Sequence, residues 1–171
     1  MTIPETIDRT LLQTYLSDHL TGATGVRARA LKMAQWYASS DIGPDLARTA
    51  AQLDAEQEHL KDLIDRLGLS QPLPKQLLAR VGELAGRLKA NGRVLTGSPM
   101  TPLLELELLR AAVNGKQGLW ETLVVYAPEL GLDPQRYRDL ADQARAQERT
   151  LEELHSRVRG DALRPGSGPR G

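Results

Sequence analysis

The sequence predicts an all-α fold, an up-down four-helix bundle with a crossover segment containing an additional short helix. Three observations predict it. Apolar residues recur at spacings of three and four along most of the chain, and nowhere alternate at two for long enough to argue a strand. Turn-forming clusters divide these runs into two pairs of long segments, and the pairs repeat one another. At 171 residues and 40% apolar composition, one domain can bury about 70% of its unfolded surface in a single core.

Residues 1–10 are expected to be an N-terminal extension, 11–160 the bundle and 161–171 a disordered tail, since Arg164 to Gly171 (RPGSGPRG) offers no apolar anchor. The first long helix runs from about Leu11 to Tyr37, with Leu12, Leu16, Leu20, Ala23, Leu31 and Ala34 near one face. Ser39, Ser40, Asp41 and Gly43 end it. A second begins at Pro44, where a first-turn proline loses no hydrogen bond, and continues to Leu67 before Gly68. After Pro72 and Pro74, Leu77, Leu78, Val81, Leu84 and Leu88 mark a shorter amphipathic helix over Lys75 to Lys89. A third long helix spans Thr101 to Ala127, and a fourth, capped by Asp133, runs from Pro134 to about Arg159. An offset of 91 residues lays Leu46, Leu53, Leu60, Leu63 and Leu67 over Tyr137, Ala144, Leu151, Leu154 and Val158. In the first and third helices an offset near 90 aligns Leu16, Ala23 and Gly25 with Leu106, Val113 and Gly115.

Charge and composition exclude several classes of function. Twenty-two basic and 22 acidic residues leave no net field to draw the chain to nucleic acid or an anionic membrane. Six aromatic residues, none of them Phe, give little for base stacking. The local charge of +4 over Lys75 to Arg93 reads as a solvated face. With no cysteine there is no disulfide, thiolate nucleophile or zinc finger, which suits a reducing compartment. Met1 to Thr10 lacks the pattern of a secretory signal, and no apolar run reaches the roughly 18 residues of a membrane span, so a cytoplasmic location is expected. Asp18 with His19 is too sparse for catalysis, and no arranged nucleophile or phosphate-binding loop is present; no enzyme is expected.

Hairpin, crossover, hairpin order, together with the Glu-x-x-His of Glu56-Gln57-Glu58-His59 midway along the second helix, resembles the ferritin-like superfamily. The similarity covers about Leu11 to Arg159. Tyr15 to Leu20 (YLSDHL), Leu88 to Arg93 (LKANGR) and Gly115-Lys116 look like an uncharacterised bacterial branch of it. The resemblance implies a di-iron centre, built from one Glu on each of two helices and a Glu-x-x-His on each of the others. Glu56 lies about 40° from Leu60 on the helical wheel, within the apolar stripe, with His59 at its margin.

The remaining ligands of such a centre are not found. The 91-residue offset places Gln147 opposite Glu56 and Thr150 opposite His59, while Thr24 and Asn114 hold the corresponding positions of the first and third helices. Glu152 and His155 form a second Glu-x-x-His, but Glu152 points about 100° from the Leu151 seam and reads as a surface residue. One glutamate and one histidine would face two divalent irons, where this class uses four carboxylates.

Counting from the hairpin turns predicts what stands there instead. Arg27 and Glu56 fall level, as do Thr24 with His59, Gln117 with Gln147 and Asn114 with Thr150. The expected centre is a polar core layer of Thr24, Arg27, Glu56, His59, Asn114, Gln117, Gln147 and Thr150. Within it Arg27 either pairs with Glu56 or extends its guanidinium past the seam to water. Gly22, Gly25, Gly115 and Gly118 each cost about 1 kcal/mol against Ala inside a helix, which suggests close helix contact or a bend.

The leading expectation is therefore a non-catalytic bundle with a degraded di-iron site, serving as an interaction or stress-related protein with no cofactor. The alternative is a metal-binding or iron-dependent oxidoreductase-type protein holding iron or manganese through Glu56 and His59. A homodimer is expected if Trp36, Tyr37, Trp120 and Tyr126 form an exposed apolar patch.

Overall fold

The structure, a computed structural model, describes residues 2–70 and 98–164. Within these it contains four helices and no strand: α1 (Arg9–Trp36), α2 (Gly43–Arg66), α3 (Thr101–Tyr126) and α4 (Pro134–Val158). The short helix expected over Lys75 to Lys89, the basic run to Arg93 and the tail beyond Arg164 lie outside the described residues. Among the described residues no helix is long and apolar enough to cross a membrane.

Local chemistry sets each boundary. Asp8 caps α1, its carboxylate accepting from the Thr10 and Leu11 N–H groups at 2.8 and 3.0 Å, so the helix begins two residues before the expected Leu11. The residues before it pack on the bundle: Ile3 and Ile7 rest against the core, and Thr6 donates to Glu129 at 2.7 Å. Gly43 opens α2 where a Cβ would lie 2.4 Å from the Tyr37 carbonyl oxygen, closer than any side chain can come. At the other end Gly68 takes φ +62°, its N–H bonding to Asp65 and that of Leu69 to Ile64 at 3.0 and 3.1 Å. This paired closure satisfies carbonyls that a helix end leaves orphaned. Gly131, at φ +64°, repeats it before Asp133 caps α4. Beyond α4 the chain turns through Asp161 to Arg164 and buries Ala162.

Tertiary contacts fix the helix directions. The Tyr15 hydroxyl donates to Thr122 at 3.1 Å and Tyr37 to Glu105 at 3.1 Å, so the start of α1 lies beside the end of α3, and the reverse. Likewise Arg157 approaches Asp45 at 3.9 Å, while the rings of His59 and Tyr137 lie 6.0 Å apart, so α2 and α4 also run antiparallel. Within each hairpin the packing is extensive, and across the faces between hairpins it is sparser. Ser70 and Ser98 consequently stand at opposite ends of the bundle.

One continuous core fills the bundle, with Leu16, Met33, Leu46, Leu60, Leu63, Ile64, Leu106, Leu109, Leu119, Trp120 and Leu123 fully buried. From Gly22 through Arg29, however, α1 buries no residue, so its middle turns stand off from the bundle axis. The expected aromatic patch does not form. Tyr37 and Trp120 belong to the core, and the exposed Trp36 and Tyr126 lie at opposite ends of the molecule.

Candidate functional site

Three helices bring a polar residue to the same register of their apolar stripes. On α2, Glu56 follows Leu53 by three and precedes Leu60 by four; on α4, Gln147 stands likewise between Ala144 and Leu151. On α3, Lys116 stands between Val113 and Trp120 at the same spacing. Helical periodicity therefore aims all three side chains inward. Glu56 is 3% exposed and the Lys116 side chain 13%.

Both oxygens of the Glu56 carboxylate accept hydrogen bonds. Its Oε2 accepts from the Lys116 ammonium, which also donates to the Gln147 Oε1. Its Oε1 accepts from Gln143 at 2.5 Å and from Gln147 at 2.9 Å, and the Gln147 amide donates further to Gln52 at 3.0 Å. Burial pulls the Lys116 ammonium below the usual lysine range, and the charge and hydrogen bond of Glu56 oppose that shift. A buried ion pair needs further hydrogen bonds to offset its desolvation, and Gln143 and Gln147 supply them, with Gln52 accepting from Gln147 behind.

The expected layer is present in part. Glu56 and Gln147 meet as described. Arg27 does not reach Glu56: it pairs with Asp54, with 37% of its side chain exposed, because the middle of α1 stands away from the axis. The guanidinium thus lies at the solvent edge, and the central cation is Lys116. Thr24 accepts from Gln57 Nε2 at 2.8 Å on an exposed position, Asn114 is exposed, and Gln117 bonds Glu121 at 2.8 Å along its own helix. Thr150 is half-buried, with no hydrogen bond to the Glu56 centre among the described residues. His59 is half-buried between the rings of Trp120 and Tyr137, at 5.9 and 6.0 Å, and its buried Nε2 has no partner among the described residues. Burial lowers its pKa, as do the charges of Arg136 and Arg66. The second Glu-x-x-His leaves Glu152 exposed, while His155 Nε2 lies 3.3 Å from Glu107.

A di-iron centre does not fit these residues. It would meet one carboxylate already bonded through both of its oxygens, with the Lys116 ammonium beside it. Among the described residues no group of three or more His, Asp or Glu side chains is arranged to hold a metal ion.

A second buried acid was not legible in the sequence. Glu105, 4% exposed, accepts from Arg29 and from the Tyr37 hydroxyl, and the Arg29 guanidinium lies 5.3 Å from the Trp36 ring centre. Burial raises the Tyr37 pKa, partly offset by Arg29. This cluster ties the end of α1 to the start of α3.

No family model matches this chain, and no curated protein or solved structure matches it either.

Proposed function

We propose that this chain is a ferritin-like bundle in which a protein ammonium has taken the place of the metal, and that it acts as a non-catalytic interaction or stress-related protein. The observation that carries the reading is the Lys116 ammonium on the Glu56 carboxylate, between α2, α3 and α4. A cation fixed there repels a second cation and neutralises the carboxylate a metal would use. Antiparallel neighbours at every face, with Ser70 and Ser98 at opposite ends of the bundle, support the ferritin-like assignment.

One observation favours a second reading, in which iron or manganese is held by Glu56 and His59. The buried Nε2 of His59 lacks a partner among the described residues, and a metal would supply one. Metal analysis of protein purified without a histidine tag separates the two. The leading reading expects substoichiometric iron and manganese, unchanged by Glu56→Ala. Stoichiometric metal that is lost in Glu56→Ala establishes the second.

A further inference from the structure

Among the described residues five large apolar side chains are exposed; Leu163 aside, they are Leu11 and Trp36 on α1 and Val125 and Tyr126 on α3. The hydrogen bond from Tyr15 to Thr122 fixes the register of these two antiparallel helices. Gly22 therefore stands level with Gly115, and Leu11 level with Tyr126. The outer side of the pair is apolar at both ends and has glycine at its middle. A Cβ built at Gly22 or Gly115 would meet nothing within 4 Å. Nothing within the chain demands glycine there, and each one weakens its helix by about 1 kcal/mol relative to alanine. A helix seated on this face from outside would demand it, because glycine lets two backbones approach more closely than any other residue.

The order of residues along α1 selects the occupant. Leu11, Gly22, Gly25, Arg29 and Trp36 all lie within about 40° of Asp18 on the helical wheel. Turned end for end about a point between Gly22 and Gly25, this stripe meets itself: Leu11 faces Trp36, Asp18 faces Arg29 and Gly22 faces Gly25. A two-fold axis across the helices performs that turn, so each pairing occurs twice. On α3 the same turn brings the half-buried Leu104 towards the exposed Val125. The charges agree with it. Asp18 is exposed and forms no ion pair among the described residues, and Arg29, although bonded to Glu105, keeps 35% of its side chain exposed. By contrast, the run from Lys75 to Arg93, with its charge of +4, would set like charge against Arg29 and Lys32. The area suffices as well: α1, with 28 residues, is about 42 Å long, and two packed helices about 20 Å wide offer roughly 800 Å² per copy, the amount a stable dimer buries.

We propose that the outer face of α1 and α3 binds a second copy of this chain, α1 lying antiparallel on α1 with Gly22 and Gly25 at the contact and Asp18 paired with Arg29 of the other copy. Trp36 of one copy then covers Leu11 of the other, beside Tyr126, although the two ends lie apart in a single chain. This surface is independent of whether the Glu56 centre once held metal.

Sedimentation equilibrium of the full chain tests this. The expected mass is that of a dimer at about 100 µM, dissociating on dilution. Gly22→Gln meets nothing within the single chain and favours its helix, yet should weaken association about tenfold or more with circular dichroism unchanged. Because the chain has no cysteine, the double variant Leu11→Cys/Trp36→Cys gives a second readout. Its two positions are about 38 Å apart along α1, too far to join within one chain, so oxidation should link position 11 of one copy to position 36 of the other. Each single variant should stay unlinked. A chain that is monomeric at about 100 µM overturns the proposal and leaves the face to residues 71–97 or to another protein. A dimer unaffected by Gly22→Gln overturns it too, as does a double variant that forms no link between positions 11 and 36.

Discussion

Gln147 donates to Glu56 across 2.9 Å although 91 residues separate them in the chain. That is also the interval that superposes the seams of the two hairpins. In an antiparallel pair of helices related by a pseudo-two-fold axis, equivalent residues meet only where the axis passes. Glu56 and Gln147 therefore mark the axis on the α2–α4 face, and the sparse middle of α1 against α3 lies on the opposite side of the bundle. Two acids on such an axis would need metal or protons between them. With an acid and an amide there, a single lysine supplies the matching charge.

Because Arg27 and Asp54 meet at the solvent edge, Arg27→Met should cost no more than about 1 kcal/mol, the range of exposed ion pairs. Urea denaturation of the variant checks this. A loss of about 3 kcal/mol or more would place Arg27 against a buried carboxylate instead.

Glycine substitutions should divide by position. Gly43→Ala forces a methyl group against the Tyr37 and Ala38 carbonyl oxygens, 2.4 and 2.8 Å from the Cβ, and should destabilise by about 1–3 kcal/mol. Gly118→Ala meets nothing within 4 Å and should stabilise by roughly 0.5–1 kcal/mol through helix propensity. Chemical denaturation midpoints moving in opposite directions would confirm the division; a stabilising Gly43→Ala would refute the close approach.

His59 should make stability fall with acid. Burial and the charges of Arg136 and Arg66 lower its pKa in the folded protein from 6.5, against the weaker opposing pull of Asp62 and Glu56. The unfolded chain therefore binds the proton first, and the contribution present above about pH 6.5 is lost as the pH falls towards the folded value. His19 shifts in the same direction, by burial against the charge of Asp18. Melting temperatures at pH 7.5 and 5.5 should differ less in His59→Phe than in the unaltered protein. An undiminished difference would assign the acid sensitivity elsewhere.

Tyr37→Phe should cost about 1 kcal/mol by removing one hydrogen bond, and Glu105→Ala more, because it strands a buried hydroxyl and removes the partner of Arg29. Equal losses in the two variants, measured by denaturation, would mean that Arg29 adds nothing.

Periodicity made the helices legible, and turn chemistry made Gly68 and Asp133 legible as helix boundaries. Glu56 and Gln147 were found as well, since both sit at stripe positions and share the repeat interval. Lys116 was missed although it occupies the same stripe register between Val113 and Trp120. A lysine in an apolar stripe ordinarily reads as a stem that reaches water, and only the facing carboxylate keeps this one inside. Arg27 was misplaced for a complementary reason: wheel angle and distance from the turn locate a residue along and around its helix, but not how far that helix stands from its neighbours. The stand-off of α1, which buries no residue from Gly22 through Arg29, is a tertiary property. Glu105 likewise becomes an interior residue only through Arg29 and Tyr37 on another helix.

The most direct test of the central claim is a double-mutant cycle between Glu56 and Lys116, measured by equilibrium denaturation. Glu56→Leu alone leaves a buried ammonium and Lys116→Met alone a buried carboxylate, so each should cost about 3–5 kcal/mol. The double variant Glu56→Leu/Lys116→Met should be more stable than either single variant, so that the coupling exceeds one single loss, about 3–5 kcal/mol. A coupling near zero would contradict the claim, for it would show that the Glu56 carboxylate is balanced by something other than Lys116.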